Sequence, residues 1–267
     1  MYRVLTIAGS DSCSGAGVQA DLKTINALGA YGTCAITAIT VQNTLGVRSV
    51  FEVPASFVGQ QIDTVVTDIG ADSLKTGMLV NDEIVEVVCN RIKKYNLKKI
   101  VVDPIIESHK GERLLSSGGV KKLRSVLIPL SYLVTPNVPE AEVLAGLKIS
   151  NSSDMKDAAK SIYKQGAANV LIKGGHIARQ TNCEENVLKG EIVDVFYDGK
   201  SFEYLKEDRI KTENVHGTGC IYSAAIATEL AKGNDLAGSI NDAKEFVTKI
   251  IKNPLALGKG YKLAHFP

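Results

Sequence analysis

Two glycine clusters and a few polar residues at the ends of apolar runs carry the chemistry in this sequence. His216-Gly217-Thr218-Gly219-Cys220 precedes Ile221, Ala224, Ala225, Ala227 and Leu230, an apolar pattern of helical spacing. Gly217, Thr218 and Gly219 let consecutive backbone N–H groups converge at a helix N-terminus, where the dipole adds positive potential. Such a nest stabilises a phosphoryl group or developing negative charge. Cys220 stands in the first turn of that helix, where the dipole favours thiolate over thiol, so its pKa is expected to be depressed and the thiolate could act as a base. The alternative makes it a small buried residue.

The other cluster is Gly9-Ser-Asp-Ser-Cys-Ser-Gly15-Ala-Gly17-Val-Gln-Ala20-Asp21, where a strand runs into a helix. Gly15, Gly17 and Ala20 match the G-x-G-x-x-A spacing of dinucleotide-binding turns. Against that reading, the loop is long, and the second strand ends at Val41-Gln42-Asn43 where an acid for a ribose would be expected. A tightly packed turn is the competing explanation. At Thr135-Pro136-Asn137-Val138-Pro139-Glu140 a strand gives way to a helix. Asn137 and Glu140 are hard oxygen donors suited to Mg²⁺ carried with nucleotide phosphates, and they are equally a variant of the capping box. Asp103 and Lys173 close two further strands at the same sheet edge, Lys173 being followed by Gly174-Gly175-His176.

The elements that must hold these residues are readable from periodicity. Val4 to Ala8, Ala35 to Val41, Ile100 to Asp103, Leu133 to Thr135 and Val170 to Lys173 are mostly apolar without alternation, as in strands covered on both faces. Val18, Leu22, Ile25 and Leu28 form a helical stripe ending at Gly29, and Ile84, Val85, Val88 and Ile92 form another. Ile192 to Tyr197, the Asp198-Gly199 turn and Ser201 to Leu205 read as a β-hairpin edging the sheet. Two helices follow, from about Ile221 to Leu230 and from about Leu236 to Ile251. The expected fold is a single α/β domain over 1–267, with a mostly parallel sheet, helices on both faces and a ligand crevice at the strands' C-terminal ends.

Composition removes other classes. The chain has 267 residues, 45% apolar and 22% charged, which excludes disorder and coiled coil. A net charge of +2 offers no field for nucleic acid or anionic lipid. No apolar stretch spans a bilayer, and polar Asp11 and Ser12 follow Ile7 too soon for a signal peptide. Five cysteines, odd in number and without C-x-x-C spacing, fit reduced thiols in a cytoplasmic protein. Of these, Cys34 and Cys89 are expected in the core and Cys183 in a polar loop, while Cys13 lies within the first glycine-rich turn. Zinc, P-loop and serine-hydrolase motifs are absent.

In order along the chain, GSDSCSGAGVQADLKT, ALGAYGTCAITAITVQNT, KTGML, VDP, TPNVPEAE, KGGH and HGTGC resemble the hydroxymethylpyrimidine and phosphomethylpyrimidine kinases of thiamine biosynthesis, within the ribokinase-like fold. The resemblance covers nearly the whole chain. It implies ATP- and Mg²⁺-dependent phosphorylation of a hydroxymethylpyrimidine and then of its monophosphate, by a homodimer that binds no nucleic acid and no membrane. It further implies that Cys220 is the base and Gly217, Thr218 and Gly219 the anion hole. Gln42, Asp21, Gly9 and Met78 would border the pyrimidine, and Lys173, Gly174, Gly175 and His176 the ATP. Asn137 and Glu140, with Asp103 as a helper, would organise Mg²⁺. Two segments depart from the family pattern. Glu107-Ser108-His109-Lys110 stands where members typically carry a different run, which bears on the second phosphorylation, and Cys13-Ser14 replace a more usual Ser/Pro-Gly pair. A pyridoxal or pyridoxine kinase and a non-catalytic pyrimidine-binding regulator are the competing functions.

Overall fold

The computed structural model describes residues 1–108, 111–175, 191–208, 210 and 215–266. Nine strands form one sheet in the order β3-β2-β1-β4-β5-β6-β7-β8-β9. They are β1 (Arg3–Ser10), β2 (Tyr31–Asn43), β3 (Gly46–Glu52), β4 (Ser73–Thr76), β5 (Ile100–Val102), β6 (Leu133–Val134), β7 (Val170–Ile172), β8 (Glu191–Tyr197) and β9 (Phe202–Asp208). The run from β2 through β7 is parallel, while β3 at one edge and β8 and β9 at the other are antiparallel. The mostly parallel α/β sheet and the C-terminal edge hairpin anticipated from periodicity are both present.

Apolar runs without alternation arise because each face of the sheet has its own core. Leu5, Ile7, Leu74, Ile100, Val102, Val134 and Ile172 pack into one cluster, and Val4, Val101, Leu133 and Leu171 into the other. Neighbours along a strand point to opposite faces, so both positions must be apolar. The first cluster is covered by α2 (Ala55–Asp68), α3 (Asp82–Lys94), α5 (Val138–Ala145) and α6 (Ser152–Tyr163), with the short α4 (Ser117–Lys122) between α3 and α5. The second is covered by α1 (Gly17–Ala27), α7 (Thr218–Ala231) and α8 (Leu236–Lys252).

The elements that periodicity did not reveal include β3, β4 and α2. β3 is an edge strand with mostly exposed or half-buried residues, so its pattern lacks a core-facing signal. β4 is four buried residues with a lysine among them. α2 buries only Val58, Gly59 and Ile62. Cys89 is in the core as anticipated, whereas Cys34 is only half-buried because β3 pairs with β2 only from Ala38 to Asn43, leaving β2 itself at the sheet edge around Cys34.

Candidate active site

The C-terminal ends of β1, β2, β4 and β7 open onto a cavity of about 330 Å³. Gly9, Gln42, Met78, Asn137, Glu140, Lys173, Gly217, Gly219 and Cys220 all line it. Residues read separately from the sequence are therefore brought to one place. Gly174 lies beside the cavity, not on its wall, with its N–H held by Asp194 Oδ1 at 2.8 Å. A Cβ on Gly174 would come within 1.8 Å of the Val193 carbonyl oxygen, so β8 packs against this loop only because the residue is glycine. His176 and Cys183 lie outside the described residues, as do His109 and Lys110.

Both glycine clusters fold against each other. Gly217 caps α7 at φ +80°, and a Cβ there would lie 1.9 Å from the Gly15 carbonyl oxygen. The close approach brings the N-terminus of α1 beside that of α7, and the Gly17 N–H is directed at the Cys220 sulfur. The first turn is not an empty anion nest. Asp11, buried, accepts hydrogen bonds from the backbone N–H groups of Cys13, Gly15 and Ala16 at 2.9, 3.1 and 2.8 Å. Those donors are consumed by a side chain, which removes the dinucleotide reading of G-x-G-x-x-A. Burial works against the Asp11 carboxylate, yet hydrogen bonds from His216 and Cys13 hold its pKa below the ordinary value.

Cys220 sits where expected but does not ionise as expected. Burial, reinforced by the Asp103 and Asp21 carboxylates, pushes the thiol up to about 11, against the pull of Lys75 and the Gly17 N–H. The helix dipole is thus outweighed by desolvation. Lys75 is a cation of this site to which no sequence motif assigned a role. Leu74 faces the other core, so the alternation of β4 turns Lys75 toward α1 and α7. There its buried ammonium lies 2.9 and 2.8 Å from the two Asp21 carboxylate oxygens, and Thr6 Oγ1 donates to Asp21 at 2.6 Å. Asp21 does not line the cavity; it stands behind Lys75. The signal available was a lysine inside the short apolar-flanked run Ser73-Leu74-Lys75-Thr76.

A second buried pair flanks the start of α7. Lys173 Nζ is 2.8 Å from Asp103 Oδ1, and Ser223 Oγ donates to Asp103 Oδ2 at 3.1 Å. Asp103 is fully buried and reaches the cavity only through Lys173. Asn137 and Glu140 complete a capping box, with Glu140 N–H donating to Asn137 Oδ1 at 2.9 Å and Asn137 N–H to Glu140 Oε2 at 2.8 Å. Capping and ligand binding are compatible here, because both residues also line the cavity. Burial pushes Glu140 up to about 8, opposed by Lys173 and reinforced by Asp103. A carboxyl that burial keeps largely protonated is ready to ionise when a hydrated divalent cation arrives with phosphate, releasing its proton as the metal binds.

The raised pKa makes a checkable pH effect. A folded-state carboxyl at about 8 against 4.5 in the unfolded chain binds protons more tightly when folded. Stability should therefore fall as pH rises from about 5 to 8, the window between those two values. Glu140→Gln is expected to flatten the dependence of Tm on pH across that window. It should also raise the Mg²⁺ concentration for half-maximal turnover about tenfold, as for losing one charge-assisted contact of about 1.5 kcal/mol. Thermal melts at several pH values and a Mg²⁺ titration of rate test the two arms.

Residues 11–265 match the family described as phosphomethylpyrimidine kinase. The thiamine biosynthesis bifunctional protein ThiED of Geobacter sulfurreducens is 45% identical over 258 residues, covering 97% of this chain and 51% of that protein. The chain thus spans about half of that bifunctional relative. The hydroxymethylpyrimidine/phosphomethylpyrimidine kinase of Bacillus subtilis is 43% identical over 261 residues, covering 98% of this chain and 93% of its own. Among solved structures, an ADP complex of Bacillus subtilis pyridoxal kinase superposes with a TM-score of 0.88 at 37% identity, covering 100% of this chain and 97% of that one.

Proposed function

Because this chain belongs to the phosphomethylpyrimidine kinase family, we propose that it transfers the ATP γ-phosphoryl group to a hydroxymethylpyrimidine and then to the resulting monophosphate. The observation that carries this reading is the convergence of Cys220, Lys173 and Gly219 with Gln42 on one cavity. Gln42 presents an amide, which offers a donor and an acceptor to a pyrimidine edge. Gly9 and Met78 wall the acceptor side, and Lys75 and Asp21 form a charged base beneath it. Lys173, Gly174 and Gly175 border the nucleotide. The N–H groups of Gly217, Thr218 and Gly219 receive the charge that develops on the transferred phosphoryl.

Phosphoryl transfer asks mainly for alignment and charge neutralisation. Cys220 takes the proton from the acceptor hydroxyl as the oxygen attacks the γ-phosphorus, and Lys173 balances the phosphate charge beside the α7 N-terminus. Asn137 and Glu140 would hold Mg²⁺, which would supply further charge neutralisation. Asp103 acts by fixing the Lys173 ammonium. Two further statements belong to the same reading. The chain is a cytoplasmic protein; among the described residues no helix is long and apolar enough to cross a membrane. It is also a homodimer, supported by Ile39 and Phe51, which lie opposite one another on β2 and β3 and are 51% and 66% exposed.

The likeness to pyridoxal kinase makes pyridoxal the competing acceptor. Incubation with ATP, Mg²⁺ and each of hydroxymethylpyrimidine, its monophosphate and pyridoxal, followed by mass spectrometry, decides between them. Conversion of both pyrimidines is expected. Phosphorylated pyridoxal with neither pyrimidine converted would overturn the assignment, and absence of any phosphorylated product would favour a binding-only regulator.

A further inference from the structure

The glycine-rich turn carries a thiol for which phosphoryl transfer has no use. Cys13 Sγ lies 3.4 Å from Asp11 Oδ2, and His216 Nε2 lies 3.0 Å from the same oxygen. One ligand atom from each residue falls within 4.8 Å of the others, a grouping of His, Cys and Asp at one point. A tetrahedral centre with metal–sulfur bonds of about 2.3 Å and metal–nitrogen or metal–oxygen bonds of about 2.0 Å has donor separations of about 3.3–3.5 Å. The sulfur and carboxylate are already at that spacing, the imidazole nitrogen is only slightly closer to the carboxylate oxygen than it requires, and the three donors all lie within 4.8 Å of one another. A fourth donor is at hand, since the Gln42 amide nitrogen lies 2.9 Å from His216 Nε2 and turning the amide would present its oxygen.

Surrounding structure keeps the donors together. Gly15 and Ala16 N–H groups orient the Asp11 carboxylate. Ser14, held at φ +64° with its N–H donating to the Asp11 carbonyl oxygen at 2.9 Å, bends the chain back so that Cys13 lies over Asp11. Cys13 and His216 are both partly exposed, so an ion has a way in. Thiolate and imidazole are borderline-soft ligands that favour Zn²⁺ or Cd²⁺ over Mg²⁺.

We propose that Asp11, Cys13 and His216, completed by Gln42, form a binding site for a thiophilic divalent cation such as Zn²⁺ or Cd²⁺, distinct from the Mg²⁺ position at Asn137 and Glu140. Binding forms metal–sulfur, metal–nitrogen and metal–oxygen bonds and releases the thiol proton to solvent, with no change of oxidation state. Occupancy draws the Gln42 amide toward the metal, which closes the acceptor side of the cavity. The blocking effect rests on the acceptor position proposed above; the binding itself does not.

Cd²⁺ titration of the purified chain, followed by ultraviolet thiolate-to-metal charge-transfer absorption, tests the binding arm. A saturable band at one equivalent is expected in the wild type and in Cys220→Ser, and its loss in Cys13→Ser and Cys13→Ala. For the inhibition arm, Zn²⁺ should slow turnover in a way that added acceptor overcomes. Both Cys13 variants should keep turnover and need well over about a hundredfold more Zn²⁺ for the same inhibition, more than follows from losing an outer-shell partner. A band that persists in both Cys13 variants, or one that disappears with Cys220 instead, overturns the site. If no acceptor is phosphorylated, the functional assignment fails while the cadmium band still decides this proposal.

Discussion

Lys75→Met is expected to destabilise the fold by about 3–5 kcal/mol, as for removing one partner of a buried ion pair, and to lower turnover in whatever protein remains folded. The stability loss follows from Asp21, whose side chain is fully buried and relies on Lys75 and Thr6 for its hydrogen bonds. Burial already raises the Asp21 pKa, and Lys75 is the largest force restraining it. Without the ammonium, Asp21 is left desolvated or must take up a proton. Burial also opposes the Lys75 charge, but the Asp21, Cys220 and Asp103 charges together keep its pKa above the ordinary lysine value, so it remains a cation at all working pH.

A second variant separates stability from chemistry. In Lys75→Met/Asp21→Leu the whole pair is replaced by apolar side chains of similar size, and such replacements are often neutral or stabilising. Recovery of Tm is expected, without recovery of turnover, because for the Cys220 thiolate the loss of the Lys75 cation outweighs the relief of losing the Asp21 carboxylate. Denaturant melts and steady-state rates on the single and double variants check this. Recovery of turnover along with Tm would make Lys75 a structural residue only.

The legible parts of this protein are those whose cause is local. β1, β5 and β7 are apolar on successive residues because both faces are buried, and glycines mark the two loops where backbones touch. β3 and α2 were not legible, because an edge strand and a helix with few buried residues carry little pattern. Within the site, Cys220, Asn137, Glu140 and Lys173 stood out by their place at element ends and do share the cavity. Asp11 and Lys75 gave no such signal, since the meaning of each depends on a partner 205 and 54 residues away in sequence. The ionisation of Cys220 shows the same limit from the other side. Its helix dipole is a property of neighbouring residues, whereas the desolvation that dominates it, and the Lys75, Asp103 and Asp21 charges, belong to the assembled core.

That ionisation sets the result expected for Cys220 itself. Cys220→Ala should leave nucleotide affinity near the wild-type value and reduce turnover by about 10²–10⁴, the range for loss of a general base. The thiolate is the base form, so a thiol pushed up to about 11 leaves little of it at neutral pH. The kcat/KM of the wild type reports the free enzyme, and it should climb nearly tenfold per pH unit through the neutral and mildly alkaline range. Cys220→Ala should show a low, flat profile there. In Lys75→Met/Asp21→Leu the climb should continue to higher pH before levelling, because the lost Lys75 cation acts on the thiol more strongly than the lost Asp21 carboxylate. A wild-type profile that is flat above pH 7, with Cys220→Ala equally active, would mean that alignment and charge neutralisation suffice and that the acceptor proton leaves without help from the sulfur.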